Sequence, residues 1–237
     1  MVEKCAVCGE DLFKEVTIFG EKKVFRRACA CRRKELEEEE RLAEESKKFN
    51  RSLDILELGY LNKGYSAYTF AQADEKDSKI VKDLTQYCNN WEKAKKVNRG
   101  IFLYGNTGVG KTFYASAVAN EVRKKGDYVL IGSASEFVRY YTRDYGRNEE
   151  AERQIETYPL MVIDDIGMEK SSDNSLATMN EIIDIRYLSH KPLICTSNYP
   201  LNKLYEGTGA YGSRIASRLT EMCVPYQVTG KDRRNNG

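Results

Sequence analysis

The sequence predicts an α/β protein organised on a parallel sheet, with a small cysteine-rich module ahead of it. Three observations carry that prediction. From about residue 61 onward, short apolar runs ("GIFLYG", "YVLIGS", "LMVIDD", "LICTSN") alternate with helical stretches, the pattern of buried parallel strands joined by crossover helices. A glycine-rich stretch, "GNTGVGKT", stands between the first of these runs and a helical one. Four of the seven cysteines crowd into residues 1–31.

Size and composition agree. The 237 residues make one large domain, or a medium one with an appendage. At 41% hydrophobic and 31% charged, the chain builds a core and is not disordered by composition. Lys and Arg total 38 against 36 Asp and Glu, so any basic surface is local. No run approaches the roughly 18 apolar residues of a membrane span. The start, "MVEKCAVCGED", lacks the apolar stretch of a secretion signal. Seven cysteines without such a signal point to a reducing, cytoplasmic setting.

The first module spans residues 1–31. Cys5-x2-Cys8 and Cys29-x-Cys31 are two close pairs, a set that suits a tetrahedral Zn²⁺. The second pair is one residue tighter than the usual C-x2-C, and free buried thiols or a disulfide are the alternatives. Between the pairs, "KEVTIFGEKKVFRRA" alternates well enough for a hairpin. So small a piece buries little core, and a metal would supply its stability. Residues 32–60 read as a charged, exposed linker helix, with Leu36, Leu42, Ala43 and Phe49 as a thin apolar stripe.

Residues 61–237 form the main domain. "GNTGVGKT" fits G-x-x-x-x-G-K-[ST], and its context supports it: the strand-like run Ile101–Tyr104 precedes it, and "FYASAVANEVRKKG" follows as a helix. In such a loop, Gly105, Asn106, Thr107, Gly108, Val109 and Gly110 turn backbone N–H groups toward phosphates at a helix N-terminus. Lys111 reaches the β- and γ-phosphates of ATP, and the Thr112 hydroxyl holds Mg²⁺. Next comes "SEFVRYYTRDYGRN", which interleaves Arg139, Arg143 and Arg147 with Tyr140, Tyr141 and Tyr145. Aromatic faces plus cations suit single-stranded nucleic acid. The alternative is an amphipathic helix whose tyrosines pack inward.

"LMVIDDIG" ends a buried strand in Asp164 and Asp165, at the edge where open α/β sheets bind ligands. The first acid would hold Mg²⁺ through water, and the second would orient and deprotonate the attacking water. The next strand ends in Thr196, Ser197 and Asn198. Asn198 suits a sensor of the γ-phosphate or the lytic water, against simple turn chemistry before Pro200. Near the end of the chain, "YGSRIASRLTEM" sets Arg214 and Arg218 four apart, on one face of a helix. The remaining cysteines, Cys88, Cys195 and Cys223, read as core or surface residues. The single histidine, His190, lies in a loop with no triad around it.

From about Tyr68 to Arg234 these motifs together resemble the AAA+ helicase loaders of the DnaC/DnaI type, including phage versions, and their relatives, the IstB-type transposition ATPases. The resemblance rests on "YTF" at 68–70, "GIFLYGNTGVGKTF", "LMVIDDIG", "ICTSN" and "SRIASRL". It implies a three-layer P-loop AAA+ ATPase core that works as a homo-oligomeric ring or spiral on ATP binding. It further implies an ATP-dependent loader of a replicative helicase, a DnaB-family hexamer, that contacts single-stranded DNA. A transposition helper ATPase is the alternative. By the same resemblance, Arg218 is an arginine finger with Arg214 as its neighbour, and Arg234, preferred over Arg233, is an in-cis sensor. The arginine–tyrosine stretch then corresponds to the extra helical insertion of initiator-type AAA+ proteins. The cysteine module would meet the helicase. "AYTF" is open between an adenine contact and core packing.

Overall fold

The computed structural model describes residues 3–18, 21–55, 64–73, 78–142, 148–167 and 173–232. The chain divides into two compact units, Met1–Asn50 and Arg51–Gly237.

In the first unit, β1 (Phe13–Ile18) and β2 (Glu21–Arg26) pair antiparallel as the expected hairpin. Helix α1 (Ala30–Ile55) follows. It starts early enough to take in Cys31, so the tight C-x-C pair straddles a helix start. Glu10 anchors that start. Its carboxylate accepts the Ala30 N–H at 2.6 Å and pairs with Arg27 at 3.2 Å. Along α1, Arg32–Glu35 and Arg41–Glu38 are exposed i,i+3 ion pairs on the helix surface.

The second unit is a three-layer α/β fold. Its sheet holds β3 (Gly100–Tyr104), β4 (Val129–Ser133), β5 (Leu160–Asp164), β6 (Leu193–Ser197) and β7 (Cys223–Gln227). All neighbours run parallel, in the order β4-β5-β6-β3-β7. The helices are α2 (Lys79–Asn89), α3 (Trp91–Lys96), α4 (Lys111–Lys124), α5 (Ala134–Tyr141), α6 (Glu149–Thr157), α7 (Asp173–Leu188) and α8 (Gly209–Met222).

Alternation along the strands builds a core on each face. Ile101 and Leu103 point toward α2 and α4, where they meet Leu84, Val118 and Val122. Phe102 points the other way, into a cluster with Ile163, Ile182, Ile215 and Leu219 from β5, α7 and α8. Full burial of each such side chain contributes about 1.5–3 kcal/mol. The two faces alternate because successive strand residues point to opposite sides. Cys88, Cys195 and Cys223 are all buried core residues.

Strand β7 is absent from the reading above, because "CVPYQ" is short and contains Pro225. A proline lacks the N–H for a central ladder, yet an edge strand tolerates it, and β7 is the sheet's edge beside β3.

Candidate functional site

The site assembles where β3, β5 and β6 end. The loop after β3 turns into α4 with Gly108 at φ +81° and Gly110 at φ +97°, a region that glycine enters without strain. At the mouth of the loop, a Cβ on Gly105 would strike the Val228 carbonyl, so glycine is also required sterically.

Lys111 begins α4 and folds back across this loop. The residue is only 6% exposed, and its ammonium donates to Gly105 O at 2.9 Å, Asn106 O at 2.7 Å and Asn198 Oδ1 at 2.8 Å. Three acceptors satisfy the three N–H bonds that burial would otherwise make costly. The tip of β6 is thereby tied to the phosphate loop. The C-terminal segment returns to the same loop: the carboxylate of Asp232 lies against Gly108, where a Cβ would collide with it.

Asp164 is likewise enclosed, at 6% exposure. The Thr112 hydroxyl donates to its Oδ1 and Oδ2 at 2.9 and 3.1 Å. Thr196 Oγ1 donates to Oδ1 at 2.7 Å and accepts the Asp165 N–H at 2.9 Å. The Tyr65 hydroxyl reaches Oδ2 at 3.4 Å. Burial, then the charge of Asp164, pushes the Tyr65 phenol well above its ordinary pKa, so it remains a donor at any physiological pH. Asp165 takes φ +56°, a left-handed conformation that costs roughly 1–2 kcal/mol for a residue with a Cβ and that clusters at functional sites. Ile166 N–H donating to Thr196 O, and Ser197 Oγ donating to Ile166 O, hold that turn on β6.

The strand order decides the architecture. β6 lies between the phosphate-loop strand β3 and the acid-bearing strand β5, the arrangement of the additional-strand ATPases. A family model described as "IstB-like ATP binding protein" matches residues 29–236. The chain belongs to this IstB-like ATP-binding family.

Among relatives of this IstB-like chain is the replicative helicase loader DnaI of Bacillus subtilis (strain 168). It is 26% identical over 199 residues, covering 76% of this chain and 63% of DnaI. The replicative helicase loader DnaC of Escherichia coli (strain K12) is also 26% identical, over 195 residues, covering 80% of this chain and 75% of DnaC. The crystal structure of the DnaI matches with a TM-score of 0.61 at 26% identity, over 73% of this chain and 93% of that one. The chain thus spans somewhat less than two thirds of DnaI's length. The fold is the α/β P-loop AAA+ fold.

Further features of the IstB-like chain bear on function. Arg214 and Arg218 do lie on α8, facing α7. Arg218 pairs with Asp184, and its guanidinium lies 5.6 Å from the centre of the Tyr187 ring. Arg214 is 3.7 Å from the same Asp184. Arg143, Tyr145, Arg147, Arg233 and Arg234 lie outside the described residues.

The nucleic-acid reading of Tyr141 is corrected. Ala134, Phe137 and Tyr141 form the inward face of α5, and Tyr141 is 2% exposed in the core, so no base can stack on it. The adjacent Tyr140 is half-buried and donates its hydroxyl to Gln154 at 3.0 Å, while Arg139 is exposed. Tyr68 packs its ring 5.4 Å from Phe113.

In the first unit, the sulfurs of Cys5, Cys8, Cys29 and Cys31 all lie within 4.8 Å of one another. Cys29–Cys31 and Cys5–Cys29 are 3.0 and 3.4 Å apart, and Cys8–Cys31 is 3.6 Å. Four thiolates around zinc at about 2.3 Å stand near 3.8 Å from one another, so the cluster fits a tetrahedral divalent metal. Backbone N–H groups of Cys8 and Val7 hold Cys5 down to about 6. The crowding sulfurs of Cys29, Cys5 and Cys8 push Cys31 up to about 12. A bound cation relieves that crowding of charge.

Among the described residues, no helix is long and apolar enough to cross a membrane. Tyr65, Asn180 and Asp184 were not singled out by sequence reasoning. Tyr65 sits in a short 3-10 turn, Tyr65–Ala67, that Asn120 of α4 anchors by donating to Tyr65 O and Tyr68 O at 2.8 and 2.7 Å. A signal for it was Asn120 itself, an amide on the buried, mostly apolar face of α4.

Proposed function

We propose that this chain is an ATPase that loads a replicative DNA helicase, a DnaB-family hexamer, and that its ATP site is shared between neighbouring copies in an oligomer. The observation that carries the ATPase reading is the joining of Lys111 to Asn198 and of Thr112 to Asp164 across the β3-β6-β5 order, and the similarity to the replicative helicase loaders DnaI and DnaC supports the loading role. The N–H groups of residues 106–112 receive the phosphates, and Lys111 exchanges its carbonyl partners for the β- and γ-phosphate oxygens. Thr112 directly, and Asp164 through water, would hold Mg²⁺, which neutralises charge on the phosphates. Asp165 orients and deprotonates the attacking water, and Asn198 contacts it or the γ-phosphate. From a neighbouring copy, Arg218 with Arg214 stabilises the transition state, and Arg234 senses the nucleotide in cis.

We assign residues 1–31 as a zinc module that docks the helicase, 32–60 as its linker and 61–237 as the ATPase domain. Single-stranded DNA would be met by the α5–α6 segment through Arg139, Arg143 and Tyr140. The IstB-like family match supports a second reading, a transposition helper ATPase. One experiment separates them. The purified protein should hydrolyse ATP with Mg²⁺, and it should load a hexameric helicase onto single-stranded DNA, with Lys111→Ala abolishing both. Turnover without helicase binding, but with transposase binding, would favour the second reading.

A further inference from the structure

Arg218 is held from α7 by three residues on one helix face, at 180, 184 and 187. Asp184 pairs with its Nη1. Asn180, 4% exposed, accepts from the same Nη1 at 3.5 Å and donates through Nδ2 to Asp184 Oδ2, also at 3.5 Å. Tyr187 lies under the guanidinium, and its hydroxyl donates to Glu221 at 2.9 Å. Both polar contacts use one corner of the planar fork. The Nη2 and Nε donors have no partner among the described residues. Asp184 also draws in Arg214, whose side chain is 57% exposed against 19% for Arg218. One carboxylate thus serves two guanidiniums, leaving the trio of Asp184, Arg214 and Arg218 with a net charge of +1 and open donors. A helix-to-helix tie alone needs one arginine; the second and the unused donors suit an anion.

We infer that Asp184 is a positioning residue. It fixes Arg218 by one corner and sets Arg214 beside it, so that the two present their remaining donors together to a phosphate held by another copy of this chain. This rests on the shared-site reading above. A guanidinium has five donors in a rigid fork, so pinning one corner sets the direction of the rest. Misplacing a positioned group by an ångström costs about a hundredfold in rate.

The test compares Asp184→Asn, Asp184→Glu and Arg218→Ala, assayed for nucleotide affinity, ATP turnover in the assembled state and thermal stability. Asp184→Asn should leave nucleotide affinity within about twofold while kcat falls about 10- to 100-fold, and Asp184→Glu should recover part of it. Mixing supplies a readout that a merely structural role would not move. Lys111→Ala copies keep the arginines, and Asp184→Asn copies keep the phosphate loop. A mixture should regain turnover that neither has alone, because each Lys111→Ala copy presents its arginines to an intact site. If Arg218→Ala abolishes turnover while Asp184→Asn turns over normally, or if the mixture stays inactive, the positioning role is overturned. If Arg218→Ala itself turns over normally, the shared-site reading fails instead.

Discussion

Lys111 donates to Oδ1 of Asn198 across 2.8 Å, joining the start of α4 to the tip of β6 over 87 residues of chain. The lysine that the phosphate loop supplies and the amide that follows β6 therefore stand in one hydrogen-bonded register. Replacing Asn198 with Ala should lower ATP turnover by about 10- to 100-fold with little change in nucleotide affinity, because the role proposed for it falls on the transition state. Asn198→Asp should do more. A carboxylate would grip Lys111 as an ion pair and repel the γ-phosphate, so nucleotide affinity should also fall, by about tenfold or more. Equilibrium binding of a fluorescent nucleotide and steady-state turnover measure the two separately.

Tyr65 adds a donor to Asp164 that Mg²⁺ binding must accommodate. Tyr65→Phe should destabilise the fold by about 1 kcal/mol, the usual net value of such a bond. It should also shift the Mg²⁺ concentration for half-maximal turnover. Since the phenol's pKa is raised, the wild-type Mg²⁺ dependence should show no tyrosine ionisation up to pH 9. A magnesium titration at several pH values checks both.

Arg186 is fully buried and paired with no carboxylate among the described residues. Its guanidinium donates to the carbonyls of Ile155, Tyr158, Pro159 and Pro192, at 2.9, 2.6, 3.1 and 2.6 Å. Burial draws it down to about 9, so it remains charged at neutral pH. Arg186→Met would orphan four carbonyls beneath β5 and β6 and should cost about 3 kcal/mol or more. Arg186→Lys should recover only part, because an ammonium lacks the fork. Urea unfolding followed by far-UV circular dichroism gives the number.

The sulfur cluster predicts one metal per chain and a pH limit on holding it. The ordinary thiol value is near 9, and in the folded unit Cys5 is lowered to about 6. A lowered thiol pKa means that the fold favours the thiolate. That contribution is complete above pH 9 and is lost as the pH falls through about 6. Zinc affinity, measured by competition with a chromophoric chelator, should therefore fall as the pH is lowered, because protons compete for Cys31 across the neutral range, and most steeply below about pH 6, where Cys5 protonates as well. Strong chelators should remove hydrogen-exchange protection from the β1–β2 hairpin while leaving β3–β6 protected.

Much of the site was legible because its parts are local. A loop with Gly108 and Gly110 at positive φ, a lysine and a threonine at a helix start, and two acids at a strand end each depend on backbone geometry within a few residues. The same holds for each cysteine pair. The arginine–tyrosine stretch misled at Tyr141 because consecutive helix residues point about 100° apart. Composition did not say which of the two neighbouring tyrosines faced the core, and Phe137 and Ala134 on the same face decided it.

The sequence by itself determined which groups are candidates for this protein's chemistry: the phosphate loop, Asp164 and Asp165, Asn198, the arginine pair and the four cysteines. Only the tertiary structure decided where β6 goes. It also set Tyr65 on Asp164, made an edge strand of "CVPYQ", and placed Asp184 between Arg214 and Arg218. The reason is physical. A motif's chemistry is written in adjacent residues, whereas strand order and side-chain partners depend on which distant segments bury their apolar faces together, and no short stretch encodes that alone.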